Sequence, residues 1–269
     1  MLRGQARVVP FPSPDPAATA LVTGASSGIG AEFARLLAGE GYNVTLVARR
    51  EERLRELAGE LERQHGVRAD VAAHDLTDPE QRAELAGGLA LRADVLVNNA
   101  GFATGGAFHE SGLEAELDQV RLLCEAPADL LRRFLPGMVG RRSGAVVNVT
   151  STAGMQPLPN SAGYAAAKAH LLSLSEAVHA EVRRHDVHVT ALCPPPVRTE
   201  LFDKEDHPVE RVPRIAWLDA DEVARAGWEG AKANKRVVVP GAVARVTSPI
   251  ARLAPRAIQL RLTERAFRT

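Results

Sequence analysis

A serine, a tyrosine and a lysine occur at a spacing that could move a proton. Tyr164 and Lys168 are four residues apart, and Ser151 lies thirteen positions before the tyrosine, at the end of an apolar run. Residues four apart share one face of a helix, so the Lys168 ammonium would lie near the Tyr164 phenol. A nearby positive charge lowers the pKa of a phenol from about 10 toward the range useful for acid–base chemistry. Ser151 could hydrogen-bond a substrate oxygen and hold it against the tyrosine. The competing interpretation is an ordinary tyrosine–lysine pair on a solvated helix.

Short β-branched runs alternate with longer helical patterns, and this alternation predicts the elements that would position the three residues. The predicted strands are Thr19–Thr23, Asn43–Ala48, Ala69–His74, Val95–Asn98, Ala145–Thr150, Val187–Leu192 and Arg236–Val239. The predicted helices are Ile29–Ala38, Glu51–Gln64, Pro79–Ala90, Leu113–Val139, Gly163–His185 and Ala220–Ala233. Repeated strand–helix–strand units predict an α/β fold of the Rossmann type, a single-domain, doubly wound parallel sheet of about seven strands flanked by helices. Its ligand crevice would lie at the carboxyl ends of the strands.

The 269 residues suffice for one such domain, which we place at residues 18–240. Residues 1–17 carry four prolines and predict a flexible or extended leader, without the apolar stretch of a signal peptide. Residues 241–269 predict a helical extension.

Composition excludes several classes of function. Lys+Arg and Asp+Glu balance at 33 each, so nothing indicates a nucleic-acid partner. The two cysteines, Cys124 and Cys193, are far apart, which argues against a metal site or a disulfide framework and fits a cytoplasmic location. No apolar stretch approaches the roughly 18–20 residues needed to cross a bilayer.

A glycine-rich turn directly follows the first predicted strand. The run Thr23-Gly24-Ala25-Ser26-Ser27-Gly28-Ile29-Gly30 leads into a helical pattern and is a variant of the dinucleotide-binding fingerprint. Gly24 can make the tight turn, Gly28 lets a pyrophosphate approach the backbone, and Gly30 lets the helix pack closely on the strand. The helix N-terminus supplies N–H groups and positive partial charge for phosphates. In this context we predict dinucleotide binding rather than an ordinary glycine turn.

The end of the second strand indicates which dinucleotide. It reads Val47-Ala48-Arg49-Arg50, with no carboxylate before Glu51 to bind ribose hydroxyls. Arginine can grip a 2′-phosphate with paired hydrogen bonds, so NADP(H) is the predicted cofactor. Arg49 is the first candidate and Arg50 the second, unless both simply face solvent. Ser26 and Ser27 could add hydroxyl contacts.

Two further strand ends carry candidate cofactor contacts. Asp75 and Leu76 follow the third strand, where a carboxylate could bond the adenine amino group. Asn98, Asn99, Ala100 and Gly101 follow the fourth, where asparagine amides could tie strand ends together while Ala and Gly leave room for the cofactor.

Together these residues resemble the short-chain dehydrogenase/reductase family, in its compact single-domain branch, over about residues 18–240. The resemblance implies hydride exchange between the nicotinamide and a carbonyl or alcohol carbon. It implies that Tyr164 donates or accepts the proton, that Ser151 orients the substrate oxygen, and that Lys168 lowers the tyrosine pKa and binds the nicotinamide ribose. Val197 and Thr199, after Pro194, match residues that meet the carboxamide and phosphates. A homodimer or homotetramer formed through the long helices is also implied.

Two departures from the family pattern concern turnover. The family's asparagine in the long helix before Ser151 falls at Leu123, followed by Cys124, so one link of the proton relay is missing or supplied by another group. The family's Pro-Gly after the sixth strand reads Pro194-Pro195-Pro196, which stiffens the loop and removes N–H donors.

Substrate specificity should come from three segments, Phe102–Gly112, Thr152–Gly163 and Glu200–Trp217. The last mixes Phe202, Ile215 and Trp217 with charges and predicts either a mobile lid over an apolar ligand or a plain surface helix. Lone histidines at 109, 170, 179 and 207 are more readily read as solvated or structural than as substrate contacts.

The last residues alternate arginines with apolar side chains at helical spacing. The arginines are Arg252, Arg256, Arg261, Arg265 and Arg268. Such a helix could lie on an anionic membrane surface or cover a hydrophobic substrate site, but packing on its own body or on a partner subunit is the favoured interpretation.

The predicted function is an NADPH-dependent reduction of a carbonyl, or the reverse oxidation, on a small-to-medium, apolar substrate. The alternative is an NADP-binding regulatory or scaffold protein with little or no turnover, which Leu123 and the proline run would suit.

Overall fold

The computed structural model describes residues 11–90, 92–200 and 214–266, without the side chains of 214, 248–252, 265 and 266. The strands are β1 Thr19–Thr23, β2 Asn43–Ala48, β3 Ala69–Ala73, β4 Ala93–Asn98, β5 Gly144–Val149, β6 Val187–Leu192 and β7 Val237–Val238. The α-helices are α1 Gly28–Gly39, α2 Glu51–His65, α3 Pro79–Leu89, α4 Leu113–Val120, α5 Ala126–Arg141, α6 Ala162–Val182, α7 Ala220–Lys232, α8 Ala242–Leu253 and α9 Arg256–Ala266.

The strands form one parallel sheet in the order β3-β2-β1-β4-β5-β6-β7. The chain runs outward from β1 to β3 and then returns to β4 on the other side of β1. This reversal between β1 and β4 opens a crevice at the carboxyl ends of the strands. The predicted doubly wound, seven-stranded Rossmann-type sheet is confirmed.

Both faces of the sheet are buried, because β1, β4, β5 and β6 are almost continuously apolar. One face packs on α1, α2 and α7, with Phe33 and Trp228 fully buried there. The other face packs on α3, α5 and the end of α6, around Phe134 and Met138.

Local sequence explains several helix ends. The Asp78 carboxylate accepts the backbone N–H of Glu80 at 2.8 Å, and Pro79 needs no partner at the first position of α3. Helix α2 ends at Gly66, whose φ of 68° is left-handed and suits glycine. The predicted bounds hold to within about three residues for most elements, but the edge strand β7 has only two residues.

The predicted helix Leu113–Val139 is not continuous. A π-helical turn at Arg121–Glu125 separates α4 from α5, and within it the N–H of Ala126 reaches back to the Arg121 carbonyl. Pro127 has no N–H to donate to the carbonyl of Leu123, so the regular α-helical ladder cannot run through this point. The irregular turn contains Leu122, which lines the crevice, and Leu123, which is buried beside Tyr164.

Residues 11–17 of the expected leader lie against the domain. The Phe11 ring packs edge-on to Trp228, with ring centroids 4.9 Å apart, and the Tyr42 hydroxyl donates to the Pro12 carbonyl. Residues 1–10 lie outside the described part. The predicted C-terminal extension is helical, as α8 and α9. Among the described residues, no helix combines the length and apolarity that crossing a bilayer demands.

Candidate functional site

A cavity of about 970 Å³ lies at the carboxyl ends of the strands, where the sheet order reverses. Its walls come from the turn before α1, the ends of β2 to β6 and helix α8. The lining includes the candidate site residues named from the sequence except Gly30, the third residue of α1, and Asn98, the last residue of β4. The fold therefore brings the candidate residues to one crevice.

The glycine turn has the backbone that its sequence predicted. Gly24 and Gly28 have φ of 66° and 54°, values that favour glycine. A Cβ at Gly30 would meet the Gly24 carbonyl oxygen at 2.3 Å, and one at Gly28 would meet Thr199 Cγ2 at 2.9 Å. The turn thus opens the N-terminus of α1 to the cavity, so its N–H groups fit the phosphates of a dinucleotide.

Asn99 ties the glycine turn to the end of β4. Its side-chain amide donates to the Thr23 carbonyl at 2.9 Å, and Thr23 Oγ1 accepts the backbone N–H groups of Asn99 and Ala100 at 2.8 and 3.0 Å. Asn98 instead points into the sheet, where its amide donates to Asn148 Oδ1 at 2.8 Å. The expectation that asparagine amides link strand ends is met by both residues.

The two arginines at the end of β2 differ in their contacts. Arg49 is 72% exposed at its side chain, with Nη1 3.9 Å from Asp75 Oδ2. Arg50 lies over the glycine turn and donates to Ser26 Oγ at 3.0 Å and to Ser27 Oγ at 2.7 Å. The sequence favoured Arg49 as the phosphate contact, whereas the contacts of the structure favour Arg50.

Asp75 and Leu76 follow β3 and line the crevice beside Arg49. Asp75 Oδ1 accepts both the N–H and the hydroxyl of Thr77, at 2.9 and 2.8 Å, which leaves Oδ2 turned toward Arg49. The Leu76 side chain is 4% exposed and packs in the core beside α3, so it forms part of the crevice floor.

Ser151, Tyr164 and Lys168 converge on the opposite wall. Tyr164 and Lys168 are 6% and 5% exposed, and Lys168 Nζ lies 5.6 Å from the centre of the Tyr164 ring. Ser151 makes a side-chain hydrogen bond with Tyr164. Lys168 Nζ donates to the Val149 carbonyl, at the end of β5, at 2.8 Å. The competing interpretation of a solvated tyrosine–lysine pair is excluded by this burial.

The pKa of the tyrosine departs from the expected direction. Burial raises the pKa of Tyr164 to about 12, and the hydrogen bond from Ser151 opposes that rise only in part. Burial also lowers the pKa of Lys168 to about 8. The pKa of Tyr164 is therefore raised and not lowered as expected, because desolvation of the phenolate outweighs the hydrogen bond from Ser151.

Leu123 occupies the position where the resemblance called for an asparagine. It is 1% exposed and packs in a small cluster with Ala103, Tyr164 and Ala167. A Cβ at Gly101 would lie 2.8 Å from Leu123 Cδ2, so glycine leaves room for the end of the leucine side chain.

A second, small cavity adjoins this cluster. Its volume is about 10 Å³, near the lower limit for one water molecule, and Lys168, Leu123 and Asn98 are among its lining residues. Asn98 Oδ1 is buried without a hydrogen-bond donor.

Gln119, on α4, is a positioning residue that the sequence analysis missed. It is fully buried; its Oε1 accepts the N–H of Thr104 and its Nε2 donates to Thr104 Oγ1, both at 3.0 Å. These bonds anchor the expected specificity segment Phe102–Gly112 to the helix. A glutamine on a predicted helix gives no local signal of such a contact.

The proline run after β6 uses its carbonyls instead of N–H groups. Pro194 O accepts the N–H of Thr152 at 3.0 Å, and Pro196 O accepts the N–H of Leu218 at 3.1 Å. Val197 forms an isolated bridge with Leu218 and is buried, and Thr199 packs against Gly28. The expected stiff segment is thus held at both ends beside the crevice.

Beyond Ser151 and Tyr164 the lining of the cavity is mixed. Its polar residues are Asp118, Thr152, Gln156, Ser161 and Thr247, and its apolar residues include Phe102, Ala103, Ala153, Met155, Leu158, Ala216, Val243 and Ala244. Because Val243, Ala244 and Thr247 belong to α8, part of the C-terminal extension packs on its own body and lines the crevice. Covering a substrate site was one of the alternatives that the sequence left open for this extension.

His109, His170 and His179 are not among the lining residues of the cavity, which agrees with the interpretation of these histidines as solvated or structural. His109 and Ile215 are mostly exposed, and His179 Nδ1 is paired with the Val189 carbonyl at 2.8 Å. Phe202 and His207 fall within residues 201–213, outside the described part. The side chains of Arg252, Arg265 and Arg268, near the C-terminus, also lie outside it. Among the described residues, no group of three or more His, Cys, Asp or Glu side chains could hold a metal ion.

Comparison with known proteins gives consistent results. The family model described as short chain dehydrogenase matches residues 18–210. A very-long-chain 3-oxoacyl-CoA reductase of Anas platyrhynchos is 34% identical, over 68% of this chain and 61% of that protein.

Two solved structures are also similar. A short-chain dehydrogenase of Sphingobium yanoikuyae in complex with NADPH is 32% identical, with a TM-score of 0.80 over 87% of this chain and 92% of that one. A bulky-bulky ketone specific alcohol dehydrogenase of Comamonas testosteroni is 30% identical, with a TM-score of 0.77 over 93% and 95% of the two chains. The family match spans most of the chain and agrees with the geometry of the crevice. The chain belongs to the short-chain dehydrogenase family.

Proposed function

We propose that this protein is an NADP(H)-dependent oxidoreductase that reduces the ketone of an apolar substrate to an alcohol, or runs the reverse oxidation. The observation that carries the proposal is the meeting of Ser151, Tyr164 and Lys168 on one wall of a crevice whose far end is the glycine turn. The cofactor, when bound, would supply or accept the hydride.

In the reductive direction Tyr164 Oη is the proton donor. With a pKa of about 12 the phenol carries its proton at neutral pH, but it is a weak acid unless a nearby positive charge favours the phenolate. Ser151 Oγ, already bonded to the tyrosine, would hold that oxygen in reach. The Lys168 ammonium, 5.6 Å from the ring centre, would stabilise the phenolate left behind.

The cofactor would be held along the crevice by residues of each strand end. We assign the phosphates and adenosine to Gly24, Ser26, Ser27, Gly28, Ile29, Gly30, Arg49, Arg50, Asp75 and Leu76. We assign the nicotinamide half to Asn99, Ala100, Gly101, Tyr164, Lys168, Pro194, Val197 and Thr199. The donors at the helix N-terminus and the arginines supply the positive potential that phosphates need.

The substrate class follows from the walls. The lining between Phe102 and α8 combines many apolar side chains with the polar residues Asp118, Thr152, Gln156, Ser161 and Thr247, which suits a ketone flanked by apolar groups with a few hydrogen-bonding groups beside it. The Anas platyrhynchos relative is named for reducing a 3-oxoacyl thioester and the Comamonas testosteroni enzyme for bulky-bulky ketones, which supports a ketone flanked by apolar groups.

The first test is NADPH oxidation by the purified protein with a panel of apolar ketones and 3-oxoacyl thioesters. Tyr164→Phe should lower kcat/KM by about 10²–10⁴-fold, because the proton donor is lost while the apolar packing is kept. Tyr42→Phe is the matched control, since Tyr42 is the chain's other tyrosine and is buried away from the crevice. Equal activity in the two variants would remove Tyr164 from the mechanism.

A binding or scaffold protein without turnover is not favoured. Leu123 was the feature that suggested it, but Leu123 packs beside Tyr164 without displacing any of the three reacting side chains. NADPH binding with no consumption by any ketone in the panel would revive that alternative.

A further inference from the structure

Two ion pairs that share Glu200 join the two sides of the crevice beside the glycine turn. Glu200, directly after Thr199 on the loop that follows β6, pairs with Arg50 Nη1 at 2.7 Å and with Arg53 Nη1 at 2.5 Å. Arg50 and Arg53 flank the start of α2, on the other side of the crevice. We call these three residues the arginine clasp.

The clasp lies where an anion is expected. Arg50 also donates to Ser26 and Ser27 of the glycine turn, so its guanidinium and the two serine hydroxyls form one cluster of donors at the end of β2. This is the corner in which a dinucleotide-binding fold places the 2′ position of the adenosine ribose. The anion that Arg50 and Arg53 bind in this structure is the Glu200 carboxylate.

The carboxylate remains charged at every physiological pH. The hydrogen bonds from Arg50 and Arg53 lower the pKa of Glu200 to about 2. The three side chains are 43 to 47% exposed, so the pairs add little to the stability of the fold. Their consequence is electrostatic, because a carboxylate and a phosphate compete for the same guanidinium.

We propose that Glu200 competes with the 2′-phosphate of NADP(H) for Arg50 and Arg53, and thereby sets how strongly the protein prefers NADP(H) to NAD(H). NADP(H) must displace the carboxylate from the clasp and then bind beside its charge, whereas NAD(H) places no phosphate there. Glu200 is thus a specificity-determining residue. The inference rests on the proposed cofactor site.

The test is cofactor affinity, measured by calorimetry without substrate. Glu200→Gln should lower the Kd for NADPH and for 2′,5′-ADP by about two- to fivefold, the size expected of an exposed ion pair. The Kd for NADH and for ADP, which lack the 2′-phosphate, should change much less. Glu229→Gln is the matched control, because it makes the same change of charge at an exposed carboxylate that pairs with Lys232 on α7.

A double-mutant cycle separates competition from a general field effect. In an Arg50→Gln, Arg53→Gln background, Glu200→Gln should give no gain in NADPH affinity, because the contested donors are gone. An unchanged or weaker affinity of Glu200→Gln for NADPH overturns the proposal. So does an equal gain for NADH, which would locate the effect at the shared pyrophosphate.

The outcome is independent of turnover. If the wild-type protein binds NADPH but reduces no ketone, the proposed reaction fails while the clasp is still tested. If it binds neither NADPH nor 2′,5′-ADP, the cofactor assignment itself fails.

Discussion

At the scale of single residues, burial decides the electrostatics of the site. Tyr164 and Lys168 are both nearly inaccessible, and burial pushes each toward its neutral form. A neutral phenol suits proton donation. Lys168 is charged at neutral pH in a buried place that disfavours charge, so its burial lowers the free energy of unfolding.

Replacing the buried lysine should therefore stabilise the fold. Lys168 has a pKa of about 8 in the folded chain against 10.5 for the free side chain, so the unfolded chain binds the proton more tightly between these values. Lys168→Met should raise the free energy of unfolding at pH 7 by on the order of 2 kcal/mol, while abolishing turnover. The gain should shrink as pH rises from 8 to 10, because the wild-type protein itself becomes more stable there.

The measurement is urea unfolding of both proteins at pH 7 and pH 10. Lys232→Met is the control, because Lys232 pairs with Glu40 and the pKa of this lysine is raised rather than lowered. The control should lose stability at pH 7. A loss in Lys168→Met as well would show that the Lys168 bond to Val149 outweighs its desolvation.

At the scale of elements, the turn between β1 and α1 depends on close backbone contact. A Cβ at Gly30 would lie 2.3 Å from the Gly24 carbonyl oxygen, so the helix could not keep its approach to the strand. Gly30→Ala should cost about 1–3 kcal/mol of stability and weaken NADPH binding strongly. Thermal unfolding and calorimetric titration measure the two effects.

Gly87→Ala provides the comparison within the same protein. Gly87 lies in α3 with nothing within 4 Å of its missing Cβ, so alanine should stabilise the helix by about 0.5–1 kcal/mol. Equal effects of the two substitutions would mean that the glycine turn tolerates a side chain.

The irregular helix α4–α5 shows a second element-scale effect. Pro127 breaks the hydrogen-bond ladder, and the π-helical turn that results directs Leu123 onto Gly101 and Tyr164. The proline was visible in the sequence, but a periodic apolar pattern favoured one uninterrupted helix.

At the scale of the whole molecule, exposed apolar side chains indicate where a second copy would pack. Leu113, Leu117 and Val120 form an exposed stripe on α4, between 39% and 70% accessible. Helix α6 carries three consecutive small residues that could allow close packing, but Ala165 and Ala167 are buried within this chain, which leaves Ala166. A dimer or tetramer through the long helices remains a prediction.

Leu117→Glu should convert such an oligomer to monomers, because it places a charge in the apolar stripe. Light scattering coupled to size-exclusion chromatography measures the mass. Leu262→Glu is the control, since Leu262 is an exposed leucine on α9, 60% accessible and outside that stripe. Dissociation by Leu262→Glu alone would assign the interface to the C-terminal helices instead.

The sequence alone determined the features that depend on nearby residues. The apolar runs of β1, β4, β5 and β6, the left-handed glycines at 24 and 28, and the four-residue spacing of Tyr164 and Lys168 each act through local backbone geometry. The order of these motifs along the chain was enough to indicate the sheet, the crevice and the three side chains that we propose as the reacting groups.

The tertiary structure decided what depends on groups distant in sequence. Glu200 accepts a hydrogen bond from Arg50, 150 positions away in the sequence. Helix α8 lines the crevice, and Gln119 donates a hydrogen bond to Thr104. Burial reversed the expected direction of the Tyr164 pKa. Long-range contacts and desolvation depend on how whole elements pack, and no local pattern of residue types encodes them.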